Sequence, residues 1–215
     1  MHLKNIAIVY EIMIYLIITT SIHNRFGIIN DNERKERYLY AISETLHILP
    51  KEITPIIVEN NGERETYLDR FPTFYTDNNK YMYQSKGINE MLDIKDIIKH
   101  YGMNNNDIII KVTGRYRVLS PTFFNYIIEH QHNYDAFVKF YNVSSLMYEE
   151  YDCFLGCYAI RVMFLMLFNH ASIANYKSAE IAFAKYIKRC GARVKEIENM
   201  DIECSFSDDL RKLHV

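Results

Sequence analysis

Four short polar stretches carry the side chains of this chain best suited to chemistry. They are Thr19-Thr20-Ser21-Ile22-His23-Asn24-Arg25, Glu59-Asn60-Asn61-Gly62, Lys86-Gly87-Ile88-Asn89-Glu90 and Thr113-Gly114-Arg115-Tyr116-Arg117. Each follows a run of apolar, β-branched residues or opens a helical pattern. A guanidinium can bond two phosphate oxygens at once. The start of a helix offers unpaired N–H groups and the positive end of the peptide dipole. Together with hydroxyls and amides, these groups suit a nucleotide diphosphate. Arg115 and Lys86 would balance its charge, and Glu59 or Asn60 would read a ribose or base edge. The alternative for Arg115 is a solvent-facing residue after a tight turn. Tyr116 could stack on a base or sugar ring, or simply pack with a polar tip.

These stretches need elements to hold them. Ile108-Ile109-Ile110-Lys111-Val112 is the run expected of a strand covered on both faces, with a turn at Asn104–Asp107 before it. Met13 to Ile18 reads as a buried first strand after a short lead-in. The apolar stretch Ile6 to Ile22 would otherwise pass for an anchor, but Glu11 interrupts it and its length is at the lower limit for a span. Asp31-Asn32-Glu33 opens a helix with Leu39, Ile42 and Leu46 on one face, closed before Pro50. Ile53 to Val58 is the second strand, which completes a βαβ unit. Residues 63–80 lack any period and read as a loop crossed by at most a short strand. Ile88, Met91, Ile94, Ile98 and Tyr101 keep a helical period up to Gly102. Further on, the pattern predicts a helix from Pro121 to Ile128 and a strand from Ala136 to Tyr141. Tyr151 to Cys157 is a strand or loop, and Arg161 to Phe168 a helix buried all round. Ser178 caps a helix from Ala179 to Cys190, stopped at Gly191, and Val194–Ile197 and Ile202–Phe206 are edge strands. The expected architecture is α/β, a mostly parallel or mixed sheet flanked by helices, in one domain over residues 1–215. In an open sheet of that kind the polar strand ends meet at one crevice.

Composition narrows the classes. A net charge of −2 gives no electrostatic case for nucleic acid or an anionic membrane surface. Cys153, Cys157, Cys190 and Cys204 fit no zinc spacing and are too sparse for a disulfide scaffold, so reduced thiols in a cytoplasmic setting are expected. Neither a Walker loop nor a Gly-x-Gly-x-x-Gly pattern occurs.

The order Ile-Ile-Thr-Thr-Ser, Ile-Ile-Val-Glu-Asn-Asn-Gly, Ser-Lys-Gly-Ile-Asn-Glu and Ile-Lys-Val-Thr-Gly-Arg-Tyr resembles a small GT-A-type glycosyltransferase of the nucleotide-diphospho-sugar transferase superfamily. The nearest kind is the minimal one found in capsule gene clusters and large DNA viruses. The resemblance spans most of the first 120 residues and continues through Asp152-Cys153-Phe154-Leu155-Gly156 and Ser178-Ala179-Glu180. It implies transfer of a sugar from a nucleoside-diphosphate donor to a hydroxyl acceptor such as a glycan, in the cytoplasm (the host's, for a viral protein) and without a membrane span. Residues 1–120 would form the donor half, with Thr19, Thr20, Ser21, Arg25, Glu59, Asn60, Asn61, Lys86, Asn89, Thr113, Gly114, Arg115 and Tyr116 lining it. Residues 121–215 would form the acceptor and catalytic half. Glu180 resembles the acid that such enzymes place at a helix start to act as base, and it is equally an ordinary first-turn acid; Asp152 is the second candidate. One departure stands out. Relatives commonly carry Asp-x-Asp, which holds a divalent cation, where this chain has Thr113-Gly114-Arg115. Either Arg115, with Lys86 or Arg117, does that cation's work and no cofactor is needed, or Mn²⁺ or Mg²⁺ is held elsewhere, for instance by Asp77, Asp152 or His214. Two rivals remain: a degenerate transferase fold that binds a glycan or partner without catalysis, and a nucleotidyltransferase.

Overall fold

A computed structural model describes residues 11–23, 31–81, 83, 85–140, 152–176, 178–205 and 212–215. At its centre is strand β1, Ile14–Thr20, buried along almost its whole length. Its alternate side chains serve both faces. Leu16 and Ile18 pack with Tyr38 and Ile42 of helix α1, Asp31–His47, while Ile17 packs with Ile94 and Ile97 of helix α2, Lys86–His100. Strand β4, Ile108–Thr113, divides the same way: Ile108, Ile110 and Val112 join the α1 side and Ile109 the α2 side. Strands covered on both faces must be apolar throughout, which explains why these runs were legible.

Strand β2, Ile53–Glu59, lies parallel to β1 on one side and β4 parallel on the other. Pro55 sits inside β2 without breaking it. The short strand β3, Thr73–Tyr75, pairs with β2 only from Ile57 onward, so no neighbour on that side awaits an N–H from residue 55. The large sheet runs β3-β2-β1-β4 and then continues through β7, Cys157–Arg161, β6, Ala136–Val138, and β8, Val194–Glu196. Only β7 is reversed, antiparallel to both β4 and β6. After β1 the chain winds one way to β2 and β3, then returns across α2 to β4 on β1's other side. The carboxyl ends of β1 and β4 are therefore a switch point, where ligands settle in open sheets.

Helices α4, Val162–Leu167, and α5, Ala179–Ile187, cover the α2 side, and α3, Thr122–His130, the other. A second sheet of three strands, in the order β10-β9-β5, joins the α1–α3 core through Val118, Ile202 and Cys204. Its members are β5, Arg117–Val118, β9, Ile202–Ser205, and β10, Lys212–His214.

The expected α/β architecture is present, with three corrections. Strand β7 had no counterpart in the sequence reading. It runs straight into α4 with only Arg161 at the junction, and four apolar residues, Cys157 to Ile160, are too few to show a strand period. Helix α4 is not buried all round: Leu167 is 70% exposed, and only Val162 and Leu165 of its six residues are buried. Strand β9 is the middle strand of the second sheet, not an edge. Its partners are too short to register as strands by pattern. The predicted ends Tyr141, Tyr151 and Phe206 lie outside the described residues.

Candidate functional site

Two connected hollows lie at the carboxyl ends of β1 and β4. The narrower, a crevice of about 50 Å³, is lined by Thr19, Thr20 and Ser21 from β1 and its exit, Arg34 and Tyr38 from α1, Asn60, Asn79, and Asn89 from α2. The wider, a cleft of about 450 Å³, takes Lys111, Thr113 and Tyr116 from β4 and its exit, Phe154 to Gly156, and Ser178 to Glu180 at the start of α5. Lys86, Glu90 and Arg115 line both.

Close backbone approach holds the hollows open. Gly114 N–H donates to the Thr19 carbonyl at 2.8 Å, and a Cβ at 114 would lie 2.9 Å from that same oxygen. No side chain fits there, so glycine joins the ends of β1 and β4. Across the cleft, a Cβ at Gly156 would collide with the rings of Tyr116 and Phe154, which stack 5.8 Å apart at 8°. The starts of α2 and α5 converge at Gly87, where an added Cβ would sit 2.5 Å from that of Ala179. Ser85, the residue before α2, makes no side-chain cap, though its carbonyl accepts from the Ile88 N–H at 3.1 Å, and Ser85, Lys86 and Gly87 bring the positive end of this 15-residue helix to the cleft.

The cations are braced. Arg34 Nε donates to the Ser21 carbonyl at 2.8 Å, and its Nη2 to the Tyr38 hydroxyl at 3.2 Å. Arg115 Nε donates to the Ser205 carbonyl at 2.7 Å, with its guanidinium 5.0 Å from the centre of the Tyr116 ring. Lys111 is 2% exposed, and its Nζ reaches Thr113 Oγ1 and the Leu155 carbonyl, each at 2.8 Å. The Glu90 carboxylate, also 2.8 Å away, completes its surroundings. Burial pushes the Tyr116 phenol up to about 12, so it stays a neutral donor. Burial also raises the Glu180 carboxyl above its ordinary value. A carboxyl of raised pKa is a better proton acceptor than an ordinary one.

Of the residues expected at the site, Thr19, Thr20, Ser21, Asn60, Lys86, Asn89 and Arg115 line the crevice. Lys86, Thr113, Arg115, Tyr116 and Glu180 line the cleft. Four others stand behind the lining. Glu59, wholly buried, accepts from Thr20 Oγ1 at 2.7 Å, from Ile22 N–H at 3.0 Å and from the Asn61 amide, so its carboxylate fixes the exit of β1. Asn61 in turn accepts from Asn79 Nδ2 at 2.7 Å. Gly114 acts through its lack of a side chain. Asp152 is buried and accepts from the N–H of Cys153 at 2.9 Å. Arg25 lies outside the described residues.

Arg34, Tyr38 and Lys111 escaped the sequence reading, and Glu90 was named only as part of its polar stretch, without a role. Lys111 had left a signal, a charge inside an otherwise apolar, doubly covered strand, which must be paired. Arg34 had left a weaker one, a cation in the first turn of a helix, against the dipole.

The resemblance raises the question of a divalent cation, and the described residues at the exit of β4 offer it no carboxylate pair. Where an Asp-x-Asp would present carboxylates, β4 presents Thr113, Gly114 and Arg115, and the nearby Glu90 is paired with Lys111. Asp77 pairs with Lys80 at 2.6 Å and His214 lies 3.6 Å from Glu203. Among the described residues no group of three His, Cys, Asp or Glu side chains is arranged to hold a metal ion. Among the described residues no helix is long and apolar enough to cross a membrane.

No protein-family model matches the chain, and no curated protein matches its sequence. Solved structures do. An inferred nucleotide-diphospho-sugar transferase from Desulfovibrio desulfuricans superposes with a TM-score of 0.54 at 8% identity, over 87% of this chain and 80% of that one. The chain has the fold of these transferases. A 4-diphosphocytidyl-2C-methyl-D-erythritol synthase is similar at TM-score 0.50 and 11% identity, over 89% of this chain and 92% of its own. The bifunctional IspDF of Campylobacter jejuni gives 0.50 at 13% identity, over 87% of this chain and 50% of its own.

Proposed function

We propose that this protein transfers a sugar from a nucleoside-diphosphate donor to a hydroxyl acceptor. The observation that carries the reading is in the crevice. Thr19 Oγ1 and Asn89 Oδ1 are buried there without a hydrogen-bond partner, and Arg34, Lys86 and Arg115 line the same space. Buried polar atoms are ordinarily satisfied, so a ligand rich in donors and acceptors supplies what these two lack. Cations beside them favour a phosphate-bearing one.

The wall shared by the hollows, Lys86 and Arg115 with the start of α2, receives the diphosphate, leaving the donor sugar to project into the cleft. The helix start and the two cations then stabilise the negative charge that grows on the leaving diphosphate, the work a metal does elsewhere. Lys111, already paired with Glu90, sets the floor. Glu180, at the far side of the cleft, removes the acceptor's proton as its oxygen attacks the sugar.

Isothermal titration with UDP, GDP and TDP tests the reading, with binding of at least one expected and unchanged in EDTA. A failure of all to bind at millimolar levels ends it. The second reading is nucleotidyl transfer, favoured by the likeness to the diphosphocytidyl-methylerythritol synthase fold. Release of pyrophosphate from a nucleoside triphosphate and a sugar phosphate, without use of a nucleotide sugar, would establish that reading instead.

A further inference from the structure

Beyond the ridge made by Gly87 and Ala179 lies another cavity, of about 490 Å³, walled by Tyr83, Ser85, Ile88, Ile173, Tyr176 and Ser178. It is continuous with the cleft, since Ser85 and Ser178 line both. Ser178 is also the cap residue of α5, two positions ahead of Glu180, so one wall of the cavity adjoins the group placed to accept a proton. Ile88 and Ile173 form a buried apolar floor. Above them stand two aromatic rings left half open to solvent, Tyr83 at 43% exposure and Tyr176 at 38%. Lys185 lies 5.0 Å from the centre of the Tyr176 ring, and Tyr81 tilts against Tyr83 at 6.0 Å.

We propose that this cavity is the acceptor site and that the acceptor is a saccharide of one or two pyranose rings. The inference rests on the sugar-transfer reading above. A pyranose has an apolar C–H face and a rim of hydroxyls. Half-open tyrosine rings with a polar tip match the first, and serine and phenol hydroxyls match the second. Four of the six named wall residues bear hydroxyls, which an alkyl chain of a lipid acceptor would leave unsatisfied. Among the described residues the wall itself includes no cation, and Lys185, the cation named beside it, lies over the Tyr176 ring. The position beside Glu180 places an acceptor hydroxyl between the base and the donor sugar.

Saturation-transfer NMR with methyl glucopyranoside, galactopyranoside and mannopyranoside, beside decyl phosphate and a parallel titration of nucleoside diphosphates, tests this. At least one pyranoside should receive saturation chiefly on one ring face. Its affinity should fall about tenfold or more in the double variant Tyr83→Ala, Tyr176→Ala. Both side chains are half exposed, so nucleoside diphosphate affinity and the melting temperature should not change. Binding of decyl phosphate alone, or of no pyranoside by a protein that binds a nucleoside diphosphate, overturns the inference. An unaltered pyranoside affinity in the double variant does the same. Loss of nucleotide binding in the native protein instead removes the sugar-transfer reading, whatever the pyranosides do.

Discussion

Asp93, on α2, is a carboxyl with no exposed surface. Three donors converge on it: Thr76 Oγ1 at 2.5 Å, Asn78 Nδ2 at 2.9 Å and Asn60 Nδ2 at 3.1 Å. Burial nonetheless outweighs them and lifts its pKa from 3.8 to about 7. The folded protein therefore keeps a proton that the unfolded chain releases anywhere between those values. Stability from this group is fully present below pH 3.8 and is lost as pH rises through 7. At 1.36 kcal/mol per unit, the whole excursion is about 4 kcal/mol, with a limiting slope of about 1.4 kcal/mol per pH unit near the middle of the window. Urea denaturation at pH 5, 6, 7 and 8, followed by far-UV circular dichroism, should show the native midpoint falling with pH. In Asp93→Asn that part of the slope should vanish, because nothing titrates. The variant should also be less stable at pH 5, since an amide offers one acceptor where three donors point and turns its own N–H against the others. Parallel pH profiles for the two proteins would refute the reasoning. Asp135 titrates in the opposite sense. Its hydrogen bonds from Arg193 hold it far below the ordinary carboxylate range, so its contribution is lost only as pH falls below 3.8, outside the window compared.

Other outcomes follow from the same geometry. Glu180→Gln should lower the transfer rate by about 10²- to 10⁴-fold while nucleoside diphosphate affinity, measured by titration, stays within about twofold. Arg115→Lys should weaken nucleoside diphosphate binding by about tenfold or more, because an ammonium cannot both hold the Ser205 carbonyl and present a planar fork to phosphate. Gly114→Ala should destabilise the fold by about 1–3 kcal/mol in thermal or urea melts, since the new methyl would meet the Thr20 Cγ2 at 2.8 Å and the Thr19 backbone carbonyl at 2.9 Å. Thr20→Val should cost about 1–3 kcal/mol in the same melts, as it strips a donor from the buried Glu59 carboxylate.

How much of this could be read beforehand depended on range. Strands β1, β2 and β4 were legible because cover on both faces forces a local apolar run. Helices α2 and α5 were legible through their period and, at Ser178, a cap that does accept from Ile181 N–H at 3.2 Å. The polar strand ends could be listed from order alone, but their division of labour could not. Glu59 and Asn61 look like any other residues of that cluster. Only the position of Thr20 and Ile22, some forty residues earlier, turns them toward the frame and away from the hollow. Lys111 and Glu90 find each other across the sheet face, a pairing without a sequence spacing. The second sheet was illegible for a related reason. Strands of two to four residues carry too few alternations to show a period.

The bond from Arg115 to the Ser205 carbonyl crosses 90 residues of chain. During synthesis, then, the guanidinium that marks the switch point exists long before the oxygen that aims it. Folding of the early strands can shape the pit but not finish its grip. That waits for one of the last strands to dock, so a phosphate-binding signal should appear late in refolding, in step with burial of the C-terminal strands and not with the first rise in helix content.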